Sequence, residues 1–359
     1  MVAIGQVTSW ATFDDYSRAE RVSFEVAARS QTHKRNRPRY QQPVLFRWIP
    51  FNVPNTGRRL SSSSDHRFES VDLTGWLLDR DEPAGENEKT WFRDPEAPDH
   101  RWIYKPNRQH RSEHEDRSEL VASILARQIG IPAADVRLAR LPGSRGCLSR
   151  NVVRDEDNAL EHASLYLSEF VTNFDPRAKD SKGHSEEWIR TILRQLEPPI
   201  GGSSEGLSAE DWFAGYLIFD ALIGNTDRHS ENWAIEITPK GSMHLAPSYD
   251  HATSLGVTTR GQRLERLLYS EDQIRQFANR AMAHRFEGQS KTSLVQFASR
   301  FLAGCSMEAQ DHWANTLRRF HVELATRTIE QSKMSAGATR LAAMIVSINK
   351  ERLVSCLGC

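Results

Sequence analysis

Residues 222–235 read LIGNTDRHSENWAI. An apolar stretch, Trp212–Ile223, broken only by Asp220, leads into them, and Ser208 with Asp211 caps the start of a helix built from it. Gly224 falls where that helix should end. Asn225, Asp227, His229 and Asn232 then crowd into eight positions, and a further strand-like piece, MHLAPSYD (243–250), closes on Asp250. Asn and Asp placed after a helix-ending Gly commonly fold back on their own backbone as Asx turns. The segment by itself therefore fits a turn as well as a site, and the rest of the chain has to decide.

Phosphoryl transfer gives one reason to gather these side chains. It asks for a carboxylate beside the nucleophile's hydroxyl and for acidic or amide oxygens on a divalent metal. Protein kinases set the base-like Asp five residues before a metal-binding Asn, and a second metal-binding Asp on a later strand. Asp227 and Asn232 have that spacing, and Asp250 follows Asn232 by 18 residues at the end of a hydrophobic strand. The letters differ, because the triplet is Asp-Arg-His rather than His-Arg-Asp. The first half of the chain adds three features in the matching order. Gly85–Lys89 (GENEK) is a polar turn ahead of the strand-like TWFRDP, and Lys105 ends the extended segment WIYK (102–105). Glu119 lies on a helix expected over Ser112–Ile129, opened by a Ser112–Glu115 capping box and stopped by Gly130 and Pro132. A lysine on a strand, paired with a glutamate on the next helix, is how a kinase holds the α- and β-phosphates.

The segments GENEKTWFRDP, WIYKP, SELVASILARQIGIP, YLSEF, GNTDRHSEN and LAPSYDHATSLG together span about residues 85–256. In that order they resemble the HipA-like kinases, bacterial serine/threonine kinases whose active site is also similar to that of phosphatidylinositol kinases. The resemblance implies ATP and Mg²⁺ as cofactors and a protein Ser/Thr hydroxyl as acceptor. Lys105 would contact the ATP phosphates and Glu119 would hold it, with Gly85 and Lys89 in the nucleotide-covering turn. Glu115 competes for the part of Glu119 but is accounted for by the capping box. Glu169 and Phe170 would offer backbone hydrogen bonds to adenine at the hinge. Asp227 would orient the acceptor hydroxyl and take its proton, and Asn232 and Asp250 would ligate Mg²⁺. His229 either orders the loop through a hydrogen bond or is a buried, satisfied histidine. A protein substrate and an antitoxin-like or regulatory protein are the implied partners. A lipid or small-molecule kinase, and a nucleotide-binding regulator or pseudokinase, are the rival readings.

The remaining elements follow the same division. Pro43–Val53, Val136–Leu141 and Ala163–Val171 read as extended, whereas Ser185–Leu196, a helix opened by Ser270 and Gln273, Ser293–Cys305, Ser306–Gln331 and Ser335–Leu353 read as helices. Strands first and helices later argue for an α+β protein of two lobes, a kinase-like fold with a strand-rich N-lobe and a mostly helical C-lobe. The expected division is 1–78, a segment of unassigned role; 79–171, N-lobe and hinge; and 172–359, the helical lobe with the catalytic and metal-binding loops.

Composition removes several other classes. Of 359 residues 38% are hydrophobic and 26% charged, which excludes collagen, a coiled coil and a wholly disordered chain. Lys and Arg balance Asp and Glu at 47 each, so net charge advertises neither nucleic acid nor a membrane. The balance is uneven locally: residues 26–64 hold eight Lys/Arg and no acid, either a solvated loop, the reading preferred here, or a phosphate-binding arm. No 20-residue apolar run and no basic-then-apolar leader is visible, and four cysteines make no disulfide framework, so a cytoplasmic location is expected. Cys356 and Cys359 form a C-x-x-C without a second pair, which reads as free thiols rather than a zinc site.

Overall fold

The computed structural model describes residues 66–82, 89–108, 110–202 and 206–358. The chain divides after Ser61, and the account below concerns Ser62–Cys359. Pro43–Val53, the basic stretch 26–64, Gly85 and Cys359 lie outside the described residues.

The first layer is a six-stranded sheet. Its strands are β1 (Val71–Asp72), β2 (Leu77–Glu82), β3 (Lys89–Asp94), β4 (Ala97–Pro106), β5 (Val136–Leu141) and β6 (Ser144–Arg150), in the spatial order β1-β5-β6-β4-β3-β2. Only the β1–β5 pair is parallel. The two-residue period of β4 turns Trp102 and Tyr104 into a small core with Leu73, Phe92, Ala139 and Leu148. Lys105 therefore faces the other side, in register with Cys147. That side is covered by α1 (Glu115–Gln128), whose Leu120 and Ile124 pack with Val136, Leu138 and Cys147. Strand register and helix packing thus aim Lys105 and Glu119 at each other before any ion pair is considered.

The helix starts three residues later than expected and without the capping box. His114 occupies the N-cap and gives no side-chain cap. The Ser112 hydroxyl instead donates to the Val257 carbonyl at 2.7 Å, and Glu115 accepts from the Arg108 guanidinium at 2.8 Å. Tertiary partners have drawn both side chains away from the local motif. The end is as read, with Gly130 at φ +75.

Chain then passes through β7 (Ala159–His162) into α2 (Ala163–Phe170). The stretch Ala163–Val171 was expected to be extended; it is helical up to Phe170, and Ala163 and Leu167, one turn apart, are its buried residues. Its first amides are anchored from outside, Ala163 N–H on the Trp233 carbonyl and Ser164 N–H on the Ser230 carbonyl. The extended backbone lies just upstream, where β7 pairs with β8 (Ala234–Ile237), itself paired with β9 (Met243–Leu245). Between them run α3 (Glu186–Leu193) and α4 (Ala209–Ile223). Every residue of α4 is buried; it starts from a formed Ser208–Asp211 capping box and ends on Gly224 at φ +67.

Six further helices complete this lobe: α5 (Gly261–Leu267), α6 (Glu271–Asn279), α7 (Leu294–Ala303), α8 (Met307–Arg319), α9 (Val322–Gln331) and α10 (Ala336–Leu357). Ser270, Ser293, Ser306 and Ser335 cap four of them, at the serines read from the sequence. Ser306–Gln331 is two helices rather than one. Phe320 takes an extended conformation to bury its ring in the core and breaks the run. Among the described residues no helix is long and apolar enough to cross a membrane.

Gly146 on β6 shows how tightly the strand carrying Lys105 is held. A Cβ there would stand 2.1 Å from the Lys105 carbonyl oxygen, a backbone atom that cannot swing away. Gly146→Ala should destabilise the protein by at least about 2 kcal/mol, read as a lowered urea midpoint. A midpoint within error of the parent would show that β4 can shift.

Candidate active site

The loop that follows α4 is built around Arg228, whose side chain is 1% exposed. Its guanidinium donates to Asp220 of α4 at 2.5 and 2.8 Å, to the Asn232 carbonyl at 2.8 Å and to Ser248 Oγ at 2.9 Å, and lies 3.3 Å from His251 Nε2. Burial works against the charge, but Asp220 outweighs it and raises the pKa of Arg228 further. Asn225 adds a second tie, donating through Nδ2 to Asp220 at 2.8 Å while its Oδ1 accepts from the Asp227 amide at 3.2 Å. Residues 225–232 and 248–251 are thereby fastened to one helix and to each other.

Of the fastened side chains, Asp227 meets two bases from elsewhere, while Asn232 and His229 bond within the loop. Asp227 accepts from Arg285 through Nε at 2.9 Å and Nη2 at 2.6 Å, both on Oδ1, while Arg111 Nη2 stands 3.9 Å from Oδ2. Asn232 donates through Nδ2 to the Asp227 carbonyl at 2.7 Å, which assigns Oδ1 as its acceptor end. His229 Nδ1 accepts from the Glu231 amide at 3.2 Å, so of its two readings the loop-ordering hydrogen bond is present; burial, its main influence, lowers the pKa.

The second group is the lysine clamp. Lys105 Nζ lies 3.1 Å from Asp250 Oδ1 and 3.7 Å from Glu119 Oε1. Burial opposes the ammonium charge, but Asp250 and then Glu119 more than offset it, and the pKa is raised. Glu119 is 1% exposed, and burial raises its pKa against the lowering effect of Lys105. Asp250 holds φ +61, a backbone region that non-glycine residues rarely enter, and so carries strain at the position that presents its carboxylate. The charges of Asp227 and Asp250 both act on Arg108 and on His229, which puts the two groups in one neighbourhood.

Lys105, Glu119, Asp227, Asn232 and Asp250 therefore come from β4, α1 and two loops into one neighbourhood. Glu169 and Phe170 differ from expectation. They sit in the last turn of α2, where helical amides bond carbonyls four residues back instead of being presented as an extended hinge. Phe170 stacks on Trp188 with centroids 5.1 Å apart, and Glu169 is exposed. Lys89 is the first residue of β3. Glu115, the rival for Glu119's place, is spent on Arg108 and lies 3.7 Å from Arg111. Arg285 and Arg111 carry no motif in the sequence; a lone Arg in the loop between α6 and α7 gives no local signal. Among the described residues no three His, Cys, Asp or Glu side chains gather as a metal cluster, and Cys356 is an exposed free thiol.

A family profile described as "HipA-like C-terminal domain" matches residues 82–333. The chain belongs to this HipA-like family. Its fold is that of a kinase: the structure is similar to the crystal structure of a Helicobacter pylori proinflammatory kinase, CtkA, at 14% identity and a TM-score of 0.61, covering 80% of this chain and 97% of that one. A weaker likeness, 15% identity and TM-score 0.44 over 77% of this chain and 64% of the other, is to HipA of Shewanella oneidensis MR-1, from a toxin–antitoxin complex with HipB and operator DNA. A search of curated proteins finds no match.

In this HipA-like chain, breaking the Arg228–Asp220 pair from one side should be costly. Arg228→Leu leaves the Asp220 carboxylate buried without its cation and should cost about 3–5 kcal/mol. Adding Asp220→Asn should recover part of that loss in denaturant titrations, and a double variant no better than the single one would contradict this account.

His184 couples pH to the same loop. Trp233 Nε1 donates to its Nε2 at 3.1 Å, so Nδ1 carries the hydrogen and donates to the Arg285 carbonyl at 2.6 Å. Burial, the dominant influence, lowers the pKa of His184 to about 4. The unfolded chain takes up this proton near pH 6.5 and the folded chain does not, so stability is present above pH 6.5 and lost as pH falls towards 4. Between those limits the parent should lose on the order of 3 kcal/mol more than His184→Gln in urea unfolding. Parallel pH profiles for the two proteins would show that His184 is protonated in the fold.

Proposed function

We propose that the protein transfers the γ-phosphoryl group of ATP to a Ser or Thr hydroxyl of another protein. The observation that carries this reading is the arrangement around Arg228. One buried guanidinium fixes the loop bearing Asp227 and Asn232 to the segment bearing Asp250, and Asp250 meets the Lys105–Glu119 pair. In this reading residues 79–171 form the nucleotide lobe and residues 172–359 the helical lobe.

The donor set fits magnesium. Mg²⁺ takes oxygen ligands and is commonly held by one or two carboxylates together with substrate phosphates rather than by an all-protein cage. The Asp250 carboxylate and the Oδ1 end of Asn232 supply such oxygens. When bound, Mg²⁺ and ATP supply the transferable phosphoryl and neutralise charge on the β- and γ-oxygens. Lys105, kept cationic by its two carboxylates, binds phosphate, and Glu119 limits its motion. Asp227 orients the acceptor hydroxyl and receives its proton. Arg285 fixes Asp227 through Oδ1, which leaves Oδ2, approached only at 3.9 Å by the half-exposed Arg111, as the oxygen for the acceptor.

Incubation with γ-labelled ATP and Mg²⁺, with and without cell lysate, tests the activity. Asp227→Asn should lower phosphotransfer by at least about 100-fold while ATP affinity stays within a few-fold. Asp250→Asn should weaken Mg-ATP binding as well as turnover, and Asn232→Ala should act as a milder version, partly relieved by higher Mg²⁺. Near-normal phosphotransfer in Asp227→Asn would overturn the mechanism and favour a nucleotide-binding regulator.

A further inference from the structure

A cavity of about 980 Å³ opens away from these residues. None of Lys105, Glu119, Asp227, Asn232 or Asp250 lines it. Its walls come from the β5–β6 hairpin, the entry to α1, the segment before α5 and the start of α10. Three guanidiniums stand in those walls, Arg140, Arg145 and Arg260, against a single lining carboxylate, Glu113. Each guanidinium is already oriented. Arg140 reaches Asp72 at 3.2 Å, Arg145 reaches Asp116 at 3.5 Å and the Glu113 carbonyl, and Arg260 reaches the His110 carbonyl. A guanidinium offers five donors in a fixed fork, so the contacts of Arg140 and Arg145 leave capacity for an anion.

A second observation points the same way. The N-termini of α1 and α10 meet at this wall, through their N-cap residues His114 and Ser335. The Ser335 amide donates to His114 Nε2 at 3.2 Å; the Ser335 hydroxyl (3.3 Å) and Glu113 (3.5 Å) also lie near that nitrogen. Nε2 is therefore the acceptor and Nδ1 carries the hydrogen. His114 lines the cavity at 8% exposure, and its enclosed Nδ1 has no hydrogen-bond partner among the described residues. Helix N-termini favour negative charge.

We propose that this cavity binds a phosphomonoester dianion and acts as an effector site for the Lys105 site. Three guanidinium forks match the spread of phosphate oxygens better than they match one carboxylate. The cavity volume admits the phosphate together with the residue that carries it. The route to the Lys105 site is short. Ser112 holds the Val257 carbonyl beside the cavity, Arg260 holds the backbone of His110, and α1, which begins here, carries Glu119 to Lys105. An occupant gripping both the segment beyond Asp250 and the entry to α1 fixes the helix on which the lysine clamp depends. The binding part stands independently; the coupling part rests on the nucleotide reading of the Lys105 site.

Calorimetric titration of the full chain tests both. The probes are inorganic phosphate, acetyl-Gly-phosphoSer-Gly-amide and the same peptide without phosphate. The phosphopeptide should bind saturably, more weakly as salt rises, and at least about tenfold more weakly to Arg140→Gln/Arg145→Gln; Arg140 faces the exposed Asp72, whereas Arg145 faces the buried Asp116, so folding of the double variant is checked by melting. Arg260→Gln alone should show the same direction should the double variant prove poorly folded by melting. Lys105→Ala should keep phosphopeptide affinity, which separates the cavity from the nucleotide site. Tight binding of inorganic phosphate as well identifies a free phosphate source; binding of the phosphopeptide only identifies a modified polypeptide. No saturable binding, equal binding of the unphosphorylated peptide, or unchanged affinity in the arginine variants overturns the site. Phosphopeptide binding that leaves a measurable Mg-ATP affinity unaltered overturns the effector role alone. A protein that binds the phosphopeptide and no Mg-ATP sinks the kinase reading while leaving the cavity assignment intact.

Discussion

A guanidinium with 1% exposure has to be surrounded by acceptors, and that requirement organises the centre of this protein. Arg228 finds its acceptors on three separate pieces of chain: Asp220 on α4, the Asn232 carbonyl in the following loop, and Ser248 ahead of Asp250. If any of these moved, a buried charge would lose a partner. The loop geometry is therefore held by an electrostatic cost rather than by apolar packing alone. α4 suits the task because all its residues are buried and its two ends are fixed, by a capping box and by a left-handed glycine. The rigid helix locates Asp220, Asp220 locates Arg228, and Arg228 locates the two segments that carry the polar side chains.

The strand-rich lobe solves a different problem, that of keeping a lysine charged in a place where water is scarce. Desolvation favours the neutral amine, and two carboxylates reverse that preference. One of them, Glu119, is itself so enclosed that its burial raises its own pKa, and the neighbouring cation is the largest influence that favours its anion. Neither group is stable alone. β4 and α1 have to be packed before the pair can form, and on the β6 edge of β4 a glycine with no room for a Cβ sits against the Lys105 carbonyl.

Much of this was legible from local chemistry. The serine N-caps at 185, 208, 270, 293, 306 and 335 and the glycine end of α4 are set within a few residues, and each appears where the sequence places it. What was misread depended on distant partners. Ser112 looked like a cap because its competitor, the Val257 carbonyl, lies 145 residues away. Ala163–Phe170 looked extended because its aliphatic and aromatic residues fit either period, and the contacts that choose the helix come from Ser230 and Trp233. Phe320 interrupts a helical pattern to reach the core, a decision taken by packing. Arg285 has no neighbours in sequence that mark it, and only the folded chain shows it on Asp227.

The carboxylates of this region already have cations beside them. Lys105, Arg111 and Arg285 stand among Glu119, Asp227 and Asp250, and each carboxylate has a cation within 4 Å. In the proposed reading, the residues that handle nucleotide and acceptor are thus not waiting in the open; they are holding one another. Lys105 is nearer to Asp250 than to Glu119, so the contact it must loosen to serve a phosphate is the shorter of its two. Glu119, behind it and almost wholly buried, is the partner that stays. Function in such a site is an exchange of partners at nearly constant charge, which lets a fold keep buried ions in place without leaving any of them unpaired.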